Sequence, residues 1–420
     1  MKIQQALFVP GKSAFFFDDQ RAIKQHAVPD GFTYRGRPLT PGFPRIRVAG
    51  ECISVLLRLD NGQWAVGDCA AVQYSGVGGR DPLFLARSYL PLLRRRVAPL
   101  LAGRKVESFR SMTAWMESLR FDGKPLHTAI RYGLSQALLD ACAQARRRLP
   151  CEVIADEYGL PIIPRRVPVF GQSGDNRYEN VDKMILKEVD ALPHGLINNV
   201  AEKLGRHGET LRAYIRWIRR RVHELRPRGS YRPALHLDVY GTIGLAFGGD
   251  VGRIADYLAS LEADAGELPL YIEGPVDMEE KSRQMDTLLQ IRERLRRKGS
   301  TVKIVADEWC NTLEDIREFT DAGVCDMIQI KTPDLGGLQD TIEAVLYCRA
   351  HGMEAYQGGT CNETDVSARA CVQAAMATRP DRMLAKPGMG FDEGFSIVNN
   401  EMERTIAILK QRKTRQEKTP

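Results

Sequence analysis

No Cys-x-x-Cys pair occurs among the nine cysteines of this 420-residue chain, and their number is odd. A zinc ribbon or a disulfide framework is therefore not expected, and a reducing cytoplasm is the natural compartment. No run of uncharged apolar residues approaches the ~18 that a membrane-spanning helix needs. The start, MKIQQALFVPGKSAFFFDDQR, has no charged segment leading into a clean apolar stretch, so no secretory signal is read there. Aromatics are few, at 7 %, but the apolar share of 43 % supports a real core and excludes wholesale disorder. Glycine and proline, 37 and 22 residues, stay near average usage and exclude collagenous or low-complexity chains. Neither sign of charge dominates. Sixty Lys and Arg against 53 Asp and Glu leave +7, which suits an acidic small molecule and does not call for nucleic acid. The arginine-rich stretches 94–96, 146–148 and 216–221 read as solvated helix faces.

What is present divides in two near residue 160. Residues 54–59 and 63–68 are β-rich runs around Asp60-Asn61-Gly62, a turn whose Asn and Gly tolerate positive φ. A glycine-rich loop follows, Gln73 to Pro82, read as a lid rather than a phosphate cradle because no Lys-Ser/Thr follows G-x-G-G. Helical spacing dominates residues 83–158, until Pro161, Pro164 and Pro168 interrupt it and set the expected domain boundary. The expected units are 1–160, an α+β domain, 161–412, and a frayed tail at 413–420. Beyond the prolines short apolar strands are expected at 167–170, 184–186, 234–239, 268–272, 302–306, 327–330 and 353–356. Amphipathic helices lie between them, such as 209–226, and a last one is expected near 393–412. This alternation, without a G-x-G-x-x-G opening, predicts an α/β fold with a (β/α)8-type barrel rather than a dinucleotide-binding sheet.

Those strands end in an informative way. Asp238, Glu273, Asp307 and Lys331 follow four successive apolar strands, separated by 35, 34 and 24 residues. Each gap holds one helix and one strand, so all four side chains are expected on the C-terminal rim of the barrel, where active sites are built. Three crowded carboxylates repel unless a cation sits among them. All-oxygen ligation selects a hard ion, Mg²⁺ or Mn²⁺. Strand alternation turns His236 inward with Asp238, and Gln329 inward with Lys331. His236 is read either as a partner of a metal ligand or as a packed barrel residue.

The residues then resemble a known family. FDDQRAIK, GDCAAVQYSGVGGRDPLFLA, VFGQSGDNRYENVDKMI, LPHGLINNVAEKLG, HLDVYGTIG, IEGPVDMEE, VADEWCNT, QIKTPDLGG, YQGGTCNET and LAKPGMGFDEG are similar to the methylaspartate ammonia-lyases of the enolase superfamily. The likeness spans nearly the whole chain. It implies an N-terminal α+β capping domain on the barrel, usually in a homodimer, with Mg²⁺ (Mn²⁺ as substitute) and a monovalent cation such as K⁺ as activator. It implies Asp238, Glu273 and Asp307 as metal ligands and Lys331 as the base that removes the C3 proton of L-threo-3-methylaspartate, giving mesaconate and ammonia. His194 would stand across the substrate. Gln172, Gln329, Thr360 and Cys361 would contact it, with Gln73 on a closing loop. Phe170, Tyr356 and Leu384 would line a methyl pocket. The racemase and cycloisomerase branches carry Lys-x-Lys at the end of the second barrel strand. The nearest text here, Lys183 to Lys187, has no such pair, which counts against an isomerase. A catalytically inactive barrel kept as a binding protein is the remaining alternative, and the retained carboxylates argue against it.

Overall fold

Short strands with helical crossovers pair in parallel because each crossover carries the chain back to the same end, and eight such steps can close a cylinder. The computed structural model, which describes residues 1–417, shows that closure. The N-terminal part forms a three-stranded antiparallel sheet of β1 (Ile3–Asp18), β2 (Arg47–Leu59) and β3 (Trp64–Cys69), in the order β1-β2-β3. The β2–β3 turn is where Asn61-Gly62 placed it, with Gly62 at φ +85. Helix α1 (Thr128–Arg146) covers this sheet. Its approach is close because two glycines meet, a Cβ on Gly67 falling only 2.2 Å from the Gly133 carbonyl oxygen.

The barrel strands follow in sequence order: β4 (Val169–Phe170), β5 (Ala191–His194), β6 (Ala234–Asp238), β7 (Leu270–Glu273), β8 (Lys303–Ala306), β9 (Met327–Ile330), β10 (Glu354–Gln357) and β11 (Arg382–Leu384). Each pairs in parallel with the next, and β11 closes on β4 through Leu384 and Phe170. The strand interior holds a small core of Phe170, Ala191, Tyr271, Val305, Met327, Tyr356 and Leu384. A larger core lies between strands and helices. Helix α2 (Glu209–Leu225) buries Leu211, Tyr214, Ile215, Ile218 and Val222, and its arginines pair with neighbours, Arg216 with Asp264 and Arg221 with Asp182.

Three expectations change. Residues 184–186 are not a strand; they end the helix Arg177–Leu186, because Val181, Met184 and Ile185 share one buried face at helical spacing. The second barrel strand is β5 instead, which its internal Pro193 disguised. Strand β11 is three residues long and begins with a buried arginine, so it offered no apolar run. The last helix, Phe391–Glu417, runs past residue 412, and residues 418–420 of the expected tail lie outside the described residues. No helix among the described residues is long and apolar enough to cross a membrane.

Candidate active site

Asp238 and Glu273 are the last residues of β6 and β7 and lie opposite each other in register, while Asp307 follows β8 by one position. One carboxylate oxygen from each lies within 4.8 Å of the other two. Asp238 is 4 % exposed and Glu273 is fully buried. Burial, and then mutual repulsion, raise both carboxyls well above the usual range; burial also raises Asp307. A cluster of oxygen donors that its own charges disfavour fits a small hard dication, and no thiolate or imidazole belongs to the set. The residues present fit Mg²⁺.

The acid triad is braced from behind. His236 Nε2 lies 2.8 Å from Glu273 Oε2, and its Nδ1 lies 3.1 Å from Arg382 Nη1. Arginine only donates, so Nδ1 accepts and the imidazole proton sits on Nε2, directed at Glu273. Tyr356 donates to the other oxygen, Glu273 Oε1, at 2.7 Å. Burial holds His236 well below the ordinary histidine value, with Arg382 adding to the effect. The ring stacks on Phe170 at 4.1 Å. Of the two readings open for His236, partner of a candidate ligand is the one its geometry supports.

Lys331 follows β9, and His194 ends β5. These strands are four apart in either direction around eight, so the two side chains face each other across the mouth, with the acid triad on the strands between. Lys331 Nζ lies 2.7 Å from Asp307 Oδ1. Burial favours its neutral amine, but Asp307 and Glu308 outweigh burial and hold the ammonium above the ordinary lysine value. His194 Nε2 is 3.4 Å from Asp238 Oδ2. Burial, helped by the charge of Lys331, pushes its imidazole down to about 4, so the ring is neutral at neutral pH.

Between them lies a cavity of about 210 Å³. Asp238, Asp307, Lys331, His194, Gln329, Gln172, Thr360, Cys361, Leu384 and Gln73 line it. Glu273 stands behind this wall. So do Phe170 and Tyr356, which were expected in the methyl pocket; both are fully buried in the strand interior and are absent from the lining. Gln329 gives its amide nitrogen to Tyr356 and keeps Oε1 without a partner. Gln172 gives its own nitrogen to Gly388 O at 2.6 Å. The Cys361 thiol is pushed up to about 12 by burial, which removes it as a thiolate nucleophile.

The N-terminal domain closes the cavity from above, and sequence reasoning missed most of how. Gln73 Nε2 donates to Asp18 Oδ2 at 2.6 Å, and Arg47 grips Asp18 with two bonds of 2.6 and 2.7 Å. Arg80, at the end of the glycine-rich loop, pairs with Asp334 at 2.8 Å and Glu308 at 3.1 Å. It thus ties that loop to the two loops that carry Asp307 and Lys331. The available signal was a single arginine after Gly78-Gly79 followed by Asp-Pro, a charge with no helix face to belong to.

Two family models account for the chain: the methylaspartate ammonia-lyase N-terminus matches residues 1–159 and the C-terminus residues 161–411. The chain belongs to the methylaspartate ammonia-lyase family. It is an enzyme, an ammonia-lyase. A relative from Citrobacter amalonaticus, methylaspartate ammonia-lyase, is 63 % identical over 97 % of this chain and 99 % of its own length. Its crystal structure containing (2S,3S)-3-methylaspartic acid superposes with a TM-score of 0.96, covering 98 % of this chain and 100 % of that one. The β-methylaspartase of Clostridium tetanomorphum, solved as a Mg complex, matches at 53 % identity and a TM-score of 0.95 over 98 % of this chain and 100 % of its own. Muconate lactonizing enzyme from Pseudomonas fluorescens, at 17 % identity and a TM-score of 0.60 over 94 % of this chain and 88 % of its own, shares the enolase-like fold.

Proposed function

We propose that the chain converts L-threo-(2S,3S)-3-methylaspartate to mesaconate and ammonia. The observation that carries this reading is Lys331 facing His194 across the mouth with the acid triad between them, in a chain so similar to a relative solved with that amino acid. Asp238, Glu273 and Asp307 would hold Mg²⁺, or Mn²⁺ in its place. When bound, the ion supplies positive charge beside a substrate carboxylate, where the negative charge left by C3 deprotonation gathers.

Lys331 takes the C3 proton as a free amine. Its carboxylate neighbour Asp307 favours the ammonium, and burial favours the amine, so engagement of Asp307 as a metal ligand tips the balance toward the base. The electron pair of the broken C3–H bond forms the C2=C3 double bond, and the C2–N bond breaks with its pair leaving on ammonia. His194, neutral and on the opposite side, donates a hydrogen bond to the developing charge. Gln172, Gln329, Thr360, Cys361 and Gln73 contact the substrate, and Leu384 packs against its methyl group. Residues 1–160 act as the cap and 161–412 as the catalytic barrel of a cytoplasmic homodimer, with K⁺ or a similar ion as activator.

The test follows ultraviolet absorbance of the conjugated diacid when purified protein meets L-threo-3-methylaspartate and Mg²⁺. The rise is expected to vanish with EDTA, and to drop by about 10²- to 10⁴-fold in Lys331→Ala. No rise from the unaltered protein overturns the reading and returns attention to the isomerases or to an inactive barrel.

A further inference from the structure

Two fully enclosed charges lie apart from the acid triad. Lys386 and Glu363 are both fully buried and pair at 2.7 Å, and neither lines the active-site cavity. Three oxygens surround the Lys386 ammonium, Glu363 Oε1, Thr332 Oγ1 at 3.0 Å and Gly358 O at 2.9 Å, with Cys371 Sγ as a fourth acceptor at 3.3 Å. Glu363 is as fully used. Its Oε1 also accepts from Thr332 Oγ1 at 3.1 Å and the Thr360 amide at 3.3 Å, and its Oε2 accepts from Tyr132 at 2.8 Å and Ser367 at 3.0 Å. Even the backbone yields to the pair. A Cβ on Gly359 would lie 2.3 Å from Glu363 Oε1 and 2.4 Å from Lys386 Nζ.

The partners of this pair sit beside the cavity residues. Thr332 is the immediate neighbour of Lys331. Gly359 and Thr360 line the cavity themselves, as does Leu384, two positions before Lys386. Tyr132 belongs to α1 of the N-terminal domain. A buried ion pair seldom stabilises a fold more than a well-packed apolar pair of the same volume would, so stability alone is a weak reason for this one. Its geometry has a more specific content: one ammonium and one carboxylate set the mutual positions of the loops after β9, β10 and β11 and of the domain above them.

We propose that Lys386 and Glu363 are positioning residues for the reaction. They hold Lys331, Thr360, Cys361 and Leu384 in working register and tie the N-terminal domain to that register through Tyr132. This rests on the lyase reading above.

The test uses the full-length Mg²⁺-loaded enzyme and three variants: the double substitution Glu363→Gln with Lys386→Met, Thr332→Val, and Thr332→Ser. For each, kcat and KM with L-threo-3-methylaspartate, Mg²⁺ affinity by calorimetry, melting temperature, and amide hydrogen exchange of residues 331–336 and 357–363 are measured. The double variant is expected to melt near the parent and bind Mg²⁺ equally well, while kcat falls at least tenfold and exchange in both loops quickens. Thr332→Val is expected to lose kcat without losing melting temperature, and Thr332→Ser to recover most of it. Full kcat with unchanged loop exchange in the folded double variant overturns the proposal. Should that variant not fold, unchanged kcat in Thr332→Val does so. Should the parent be inactive on methylaspartate, the lyase reading fails separately, and loop exchange still decides the role of the pair.

Discussion

The rim of the barrel has two unlike halves. From β5 to β9 it carries His194, Asp238, Glu273, Asp307 and Lys331, five titratable groups at strand ends or one position beyond. From β10 round to β4 the cavity residues Thr360, Cys361, Leu384 and Gln172 are uncharged, all but Leu384 on loops, and the charged lining residue there, Asp175, is largely exposed and pairs with Lys203. Groups that repel or attract strongly must keep fixed separations, and parallel strands in register are the stiffest way to hold them. Groups that recognise shape and hydrogen bonds can sit on loops, provided something else pins those loops. On the uncharged half that role falls to the buried pair behind it, while Arg80 from above ties the charged half.

The comparison breaks most visibly at the acid triad. Glu273→Gln is expected to cost about 10²- to 10³-fold in kcat, the scale of losing one preorganised charge contact. Mg²⁺ at about a hundred times its Kd should stabilise the unaltered protein by about 2.7 kcal/mol, seen as a higher melting temperature, and should stabilise this variant much less. Equal shifts in both would place the ion elsewhere.

Arg80→Gln probes how the N-terminal domain reaches the charged half. It leaves Asp334, whose side chain is 5 % exposed, without its partner. A stability loss of about 3 kcal/mol is expected from the stranded buried charge. A fall of up to about 100-fold in kcat/KM is expected from misplacement of the loops it ties. An unchanged kcat/KM in the folded variant would show that the charged half keeps its geometry without the tie.

The smallest effect lies outside both halves. Asp340, on the helix Leu338–Ala350, faces Glu117 and Arg131 of the N-terminal part; burial and Glu117 push its carboxyl up to about 7 against the pull of Arg131. A carboxyl raised above its unfolded value keeps its proton longer when folded, so its contribution to stability declines as pH rises from about 4 toward that folded value. Asp340→Asn is therefore expected to melt higher than the parent at pH 8, to match it near pH 4, and to keep its kcat. A gain of the same size at both pH values would point to packing rather than charge.

The charged half was the legible one. Asp238, Glu273, Asp307 and Lys331 each follow a short apolar run with a turn after it, so strand periodicity alone put them on one rim. His194 was found by resemblance, since Pro193 hid its strand and 184–186 took its place in the reading. On the uncharged half, Phe170 and Tyr356 were expected in the cavity wall. Both are fully buried in the strand-interior core with Leu384; inward-pointing barrel residues stack in layers, and the depth of each layer depends on strand stagger, which no single strand reveals. Lys386 and Glu363 were invisible for a related reason. Their partners Thr332 and Tyr132 are 54 and 231 positions away respectively, and local pattern carries no trace of such contacts.

By itself, then, the sequence determined what depends on nearest neighbours: strand and helix periods, the closing turn at Gly62, the order of acids along the rim, and the excess of charge that asks for a cation. The tertiary structure alone decided what depends on closure. Curling eight strands into a ring set Lys331 opposite His194, turned His236 and Tyr356 onto Glu273, and let an arginine, an aspartate and one buried ion pair hold the loops that no local interaction could hold.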